Sequence, residues 1–388
     1  MFSRKVGIVN MREKETVSST NRFADVPVSD KFGKWPQQTG ETYFDSQVGT
    51  WFTVWWTKEG EPTYDFHWFK ECRLKPVDYG FYASNDEDYL ASAFAHIKNI
   101  GIDFLVLDDT NGHWNDHGLI RRNMWACFDK ASRMGDKAPQ IAIATGDPVR
   151  NGDYAGQQKE FDAYYEMKEK YPEVFYQYEG KPFLLMYVAG VSDARYNDNQ
   201  DRFTLRYGTG YISWQDRAAD QTIFKTQGNW GWVWDMQNPC TEVMGVQAGY
   251  NKPHHRFVAR EHGAHYIAQW LAAIKANPKV IMLPSYNDHC EETGWEATIP
   301  MHPPLPDQEQ DVEGADPYLY EKITEAYMAL RYGYIEGFMY RAENDKQVYR
   351  CENGTLVPTE TTGDLNELII LVPDDYMKWE RNRNKGGC

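Results

Sequence analysis

From about residue 44 the chain alternates two patterns. Short continuous apolar runs, rich in β-branched and aromatic residues, are separated by longer stretches whose apolar positions recur every three to four residues. Eight runs stand out: 49–56, 102–109, 140–146, 181–188, 210–214, 229–235, 244–250 and 279–288. Helical periodicity falls at 86–99, 119–134, 157–171, 262–276 and 318–331. Runs without polar alternation read as strands covered on both faces. Strands alternating with helices in this number predict an α/β fold, a (β/α)8 TIM-type barrel over 41–337. The stretch 189–243 has little helical periodicity, so a doubly wound sheet is the rival, although no GxGxxG or phosphate-binding loop follows a strand. Residues 1–40 are polar and read as an irregular N-terminal arm. Residues 338–388 begin as two strands around a polar turn and end in a charged stretch expected to be mobile, a small C-terminal β appendage.

Composition narrows the function. The 388 residues carry 41 Lys+Arg against 57 Asp+Glu, a net charge of −16, which argues against nucleic acid as a partner because counterion displacement needs clustered basic residues. Mean hydropathy is −0.70 and no apolar run reaches the length of about 20 residues that a membrane span requires. No signal-peptide pattern opens the chain, so the expected location is cytoplasmic, or secreted or periplasmic if a leader was removed. The six cysteines form no CxxC pair and no zinc spacing with histidine, and read as free buried thiols.

Tryptophan is abundant, 14 of 388 residues, and its placement matters. Barrel enzymes take their catalytic groups from the C-terminal ends of strands. Those ends carry Trp55 and Trp56, Asp108 and Asp109 followed by His113, then Trp214, then Trp234 and Asp235, then Tyr250. After the last run come Asn287, Asp288, Glu291, Trp295 and Glu296. Flat rings beside carboxylates suit a sugar, whose C–H faces stack and whose hydroxyls bond. Of Trp55 and Trp56 only one can face inward. Asp288 and Glu291 stand three apart, and if their loop makes a helical turn both point the same way. Their repulsion would raise the proton affinity of one and leave the other ionised, the division glycoside cleavage requires. The stretch 108–116 looks like a calcium loop but lacks its spacing and closing glutamate. No metal and no cofactor is expected. His113, His117, His254 and His255 read first as structural histidines, and Arg256 and Arg260 as solvated.

Residues 286–297, Tyr-Asn-Asp-His-Cys-Glu-Glu-Thr-Gly-Trp-Glu-Ala, resemble the motif of glycoside hydrolase families 71 and 99 and their lipopolysaccharide-locus relatives, Trp-Asn-Glu-x-x-Glu-Gly-Thr-x-x-Glu-Pro. Other landmarks follow in order: Trp55-Trp56, His67-Trp68, Lys75-Pro76, Gly80-Phe81-Tyr82, Gly101-Ile102-Asp103-Phe104, Gly180-Lys181-Pro182 and the helix from Arg260 to Trp270. The resemblance spans roughly residues 44–335. It implies a (β/α)8 barrel that cleaves α-linked glycans, often internally, with retention and without a metal. It places Asp288 where the family's first glutamate acts on the sugar 2-hydroxyl, Glu291 at the acid/base, Glu296 at a supporting glutamate and Asn287 at the preceding asparagine. The chain departs from the motif at Asp288, one methylene shorter, and at Tyr286, Glu292 and Ala297. An error of about 1 Å at a reacting centre can cost about a hundredfold, so either the substrate sits closer or the mechanism differs, with inversion in place of retention.

The expectation is therefore a glycoside hydrolase, endo-acting on an α-linked polysaccharide or oligosaccharide, with Glu291 and Asp288 catalytic. Asn287, Glu296, Asp108, Asp109, Trp55, Trp56, His113, Trp214, Trp234, Asp235, Tyr250 and Trp295 are expected around the substrate. A carbohydrate-binding pseudoenzyme, or a glycosyltransferase or lyase on the same scaffold, are the alternatives.

Overall fold

The computed structural model describes residues 30–38, 41–146, 153–187, 201–210, 228–237, 239–252, 257–301, 316–363 and 367–385. Seven parallel strands make up the central sheet, together with a short strand, Gln177–Tyr178, antiparallel to the fourth: β1 (Gln47–Thr53), β2 (Phe104–Asp109), β3 (Gln140–Thr145), β4 (Lys181–Tyr187), β5 (Thr204–Gly208), β6 (Val243–Gly245) and β7 (Val280–Leu283). Their order is β5-β4-β3-β2-β1-β7-β6. The helices are α1 (Glu87–Asn99), α2 (Leu119–Met134), α3 (Tyr154–Lys170), α4 (Ala264–Ala276) and α5 (Leu319–Ala329). Asp86 opens α1 by accepting the backbone N–H groups of Asp88 and Tyr89, an N-cap. None of the helices is long and apolar enough to cross a membrane.

The sheet curls, and the side-chain alternation of its strands shows how. Trp51, Phe104, Val106, Ala142, Ala144, Phe183, Leu185, Val243, Val280 and Met282 point inward and pack with Trp230 and Trp232 into one buried cluster. The residues between them, such as Phe52, Leu105, Ile143, Leu184 and Ile281, join the larger core with the helices. Strands buried on both faces explain the continuous apolar runs.

One expected strand is corrected, and another, 210–214, lies from 211 on outside the described residues. β5 was not among the expected strands, since its mixed Thr-Leu-Arg-Tyr pattern gives no continuous apolar run. The run 229–235 forms no strand. It lies between β5 and β6, held by one backbone bond, Trp230 N–H to Tyr207 O at 3.3 Å, and by side-chain amides. Asn229 bonds the backbone of Thr209, Gln237 bonds both N–H and C=O of Gly245, and Gln247 accepts from Val233 N–H. A Cβ on Gly231 would stand 2.7 Å from Thr209 N, so the approach admits only glycine. What the described residues show is a curled seven-stranded sheet with this segment across its gap, in place of a complete eight-stranded barrel.

The C-terminal part carries a four-stranded sheet of β8 (Met339–Ala342), β9 (Val348–Glu352), β10 (Thr355–Thr359) and β11 (Ile369–Val372), in the order β10-β9-β8-β11. The expected mobile tail is instead helical over α6 (Tyr376–Lys385), whose Tyr376 is buried against Tyr43 and Tyr334. Of the N-terminal arm, 1–29 and 39–40 lie outside the described residues. Cys72, Cys127, Cys240, Cys290 and Cys351 are buried and unpaired.

Candidate active site

A cavity of about 290 Å³ opens at the C-terminal ends of the strands. Its walls include Trp55 beyond β1, Asp108 of β2, Tyr187 of β4, Trp232 and Trp234 of the bridging segment, Tyr250 and Lys252, and Asp288 and Glu291 beyond β7.

The loop after β7 is built by its own backbone and side chains. Asn287 extends the sheet: its carboxamide accepts Thr53 N–H at 2.7 Å and donates to Thr53 O at 3.2 Å. Asp288 N–H donates to Ser285 Oγ at 2.8 Å, and Asp288 Oδ1 accepts Glu291 N–H at 3.0 Å. Glu292 then turns the chain with φ of 52°, a left-handed conformation. The motif resembled here has glycine at that position, and the backbone shows why. The short strand after β6, Tyr250–Asn251, clamps the turn. Asn251 N–H donates to Glu291 O at 2.9 Å and its side chain to Glu292 Oε2 at 2.9 Å. Tyr250 Oη and Lys252 Nζ reach Glu291 Oε1 at 3.4 and 3.3 Å.

The electrostatics follow from burial. Asp288 is 1% exposed, and loss of solvent, then the Glu291 charge, lift its proton affinity well above the ordinary aspartate range. Burial pulls Lys252 down, but the carboxylates of Glu291 and Asp288 outweigh it and raise the ammonium's pKa. His67 lines the cavity and donates through Nδ1 to Trp55 O at 3.1 Å, and burial lowers its pKa.

Of the expected site residues, Trp55, Asp108, Trp234, Tyr250, Asp288 and Glu291 lie together on the cavity wall. Among the described residues, the others do not line it. Trp56 stacks on Trp68 at 3.9 Å in the core. Trp295 is buried and donates to Thr50 Oγ1. Glu296, also buried, accepts from Tyr82 Oη at 2.8 Å and pairs with His289 at 2.9 Å. Asn287 serves the backbone of β1, and Asp235 sits beside the cavity's Trp234, half-buried. Trp214 lies outside the described residues.

Asp109 and His113 sit in a separate buried cluster behind the cavity wall. Asp109 Oδ2 accepts from His113 Nδ1 at 2.6 Å and from Tyr164 Oη at 2.8 Å. Glu160 of α3 accepts His113 N–H and the Thr145 hydroxyl. Burial raises Asp109 strongly, lifts Glu160 to about 7 and lowers His113 to about 4. This neutral network ties the ends of β2 and β3 to α3.

Sequence reasoning passed over His67, Glu71, Tyr187, Trp232 and Lys252, all on the cavity wall. Trp232 had a signal: it alternates with Trp234, so the two share a face. Lys252, two residues after Tyr250, had it equally.

No family model and no curated protein matches the chain. Solved structures do. The GH99 endo-α-mannosidase from Bacteroides thetaiotaomicron in complex with bis-tris propane superposes with a TM-score of 0.52 at 15% identity, over 73% of this chain and 96% of that one. A second structure of that bacterium's GH99 endo-α-mannosidase gives 0.52 at 14%, over 73% and 97%. At such identity the likeness is one of fold.

Proposed function

We propose that the chain is a glycoside hydrolase acting on an α-linked glycan, with Asp288 and Glu291 as its working carboxyls. The observation that carries this reading is their joint position on the wall of a cavity at the strand ends, among Trp55, Tyr187, Trp232, Trp234 and Tyr250. The likeness of fold to GH99 structures supports it.

Cleavage needs one carboxyl to protonate the departing oxygen and a second to stabilise the anomeric centre or activate its attacker. Buried Asp288 favours its protonated form, so the acid role in the free protein falls to it, whereas the motif resemblance assigns that role to Glu291. Tyr250 and Lys252 fix the Glu291 carboxyl from the opposite side. The aromatic walls would bind sugar faces.

The test is incubation with a panel of α-linked plant, algal and microbial polysaccharides, followed by reducing-end release, product length and product anomer by NMR. Internal products that disappear with Glu291→Gln support the reading. A panel that is bound but never cleaved favours the carbohydrate-binding alternative.

A further inference from the structure

Away from the cavity, α1 and α5 bring three buried ligand-type side chains together. His96 of α1 is 5% exposed, and Glu321 and Glu325, one turn apart on α5, are 4% and 0% exposed. A ligand atom from each lies within 4.8 Å of those of the other two. Glu321 Oε2 and Glu325 Oε1 both lack a hydrogen-bond partner. Buried polar atoms without partners are rare and costly, and two such carboxylate oxygens beside a buried imidazole point to something they hold.

The neighbours account for the other oxygens only. Lys31 Nζ sits 2.9 Å from Glu321 Oε1 and 3.0 Å from Asp78 Oδ2, so one ammonium is shared by two carboxylates. His96 Nε2 pairs with that same Glu321 Oε1 at 3.0 Å. Trp35 Nε1 donates to Glu325 Oε2 at 3.3 Å. Two donor-less carboxylate oxygens remain, Glu321 Oε2 and Glu325 Oε1, with the imidazole beside them. An adjoining cavity of about 20 Å³, lined by His96, Glu321 and Ser92 among others, has room for about one water.

We propose that His96, Glu321 and Glu325 bind a divalent cation of the zinc type. One imidazole and two carboxylates form a donor set zinc accepts, with a water as fourth ligand. Closing to bond lengths of about 2.0–2.2 Å would draw the three side chains inward. Such an ion would join α1 to α5 directly behind the loop of the carboxyl pair, since Tyr286 and Glu296 line the same small cavity. The ligands stand about 225 positions apart in the chain, so no spacing motif announces them.

The experiment uses the full chain without a histidine tag, stripped with chelator, incubated with zinc chloride and passed through gel filtration. Metal content by mass spectrometry and Tm are then read together. The expected result is one retained zinc per chain and a raised Tm. His96→Gln and Glu325→Gln should each lose the stoichiometric zinc and the shift, while Lys31→Met keeps them. Wild-type protein that retains no zinc overturns the proposal, as does equal retention by both ligand variants; circular dichroism confirms that each variant is folded. Neither readout requires a glycan, so the result stands apart from the glycosidase reading.

Discussion

The carboxylate of Asp288 accepts the backbone N–H of Glu291 at 3.0 Å, so the two members of the pair are fixed to one another through main chain. The short side chain at 288 is what closes this turn. Restoring the longer glutamate of the resembled motif, Asp288→Glu, is expected to lower kcat by about a hundredfold by displacing the reacting carboxyl. Activity equal to or above wild type would show that aspartate is not matched to this backbone.

The division of labour within the pair is separable with substrates of different leaving groups. Asp288→Asn and Glu291→Gln should each cost about 10²–10⁴ in kcat on an unactivated glycan. On an aryl glycoside, whose leaving group needs no proton, the variant lacking the acid recovers most of its rate. Recovery with Asp288→Asn fits the burial of Asp288; recovery with Glu291→Gln alone would hand the acid role to the other residue.

Neighbouring tryptophans should give opposite phenotypes. Trp55→Ala, on the cavity wall, is expected to raise KM or glycan Kd roughly tenfold, about 1.4 kcal/mol, with Tm little changed. Trp56→Ala, stacked on Trp68 in the core, should cost about 3–5 kcal/mol of stability. Ligand titration and denaturant unfolding distinguish the two.

Asn287 should behave as a structural residue. Asn287→Ala leaves the buried N–H of Thr53 without its acceptor, at a cost of about 1–3 kcal/mol. Denaturant unfolding would read this loss, and an unchanged midpoint would contradict the geometry.

Glu160 predicts a pH dependence. It holds a proton up to about pH 7 in the native state and loses it near 4.5 when unfolded. The native state therefore binds more protons in that window, and stability falls as pH rises through it. His113, lowered to about 4, acts with the opposite sign between about 4 and 6.5, so the informative quantity is a difference between variants. Glu160→Gln should reduce the stability lost between pH 5 and 8 by about 1–3 kcal/mol. Parallel unfolding curves at the two pH values for wild type and variant would refute it.

Helices were legible because their periodicity is set locally: 119–134 coincides with α2, and 262–276 falls within two residues of α4. The cavity wall was legible at Asp108 from its strand end, and at Asp288 and Glu291 from strand end and motif together. It failed where a polar side chain does a backbone's work. Asn287 looks like a sugar ligand in sequence, yet it hydrogen-bonds main chain, as Asn229 also does. Asp109 looked equivalent to Asp108, but strand alternation turns one toward the cavity and the other toward α3. Lys252 was passed over although it alternates with Tyr250, because its partner Glu291 is 39 residues away.

The segment across the gap between β5 and β6 places Trp232 and Trp234 on the cavity wall while contributing nothing to the strand ladder. A ladder strand cannot gain or lose one residue without turning every side chain over. A segment held by amide side chains has no ladder to keep in register, only its anchors at Asn229, Gly231 and Val233. Substitutions at Trp234, which is not fully buried, would reshape the aromatic wall and leave the seven strands and these anchors as they are, so this position is where altered glycan preference could evolve, or be engineered, at the least risk to folding.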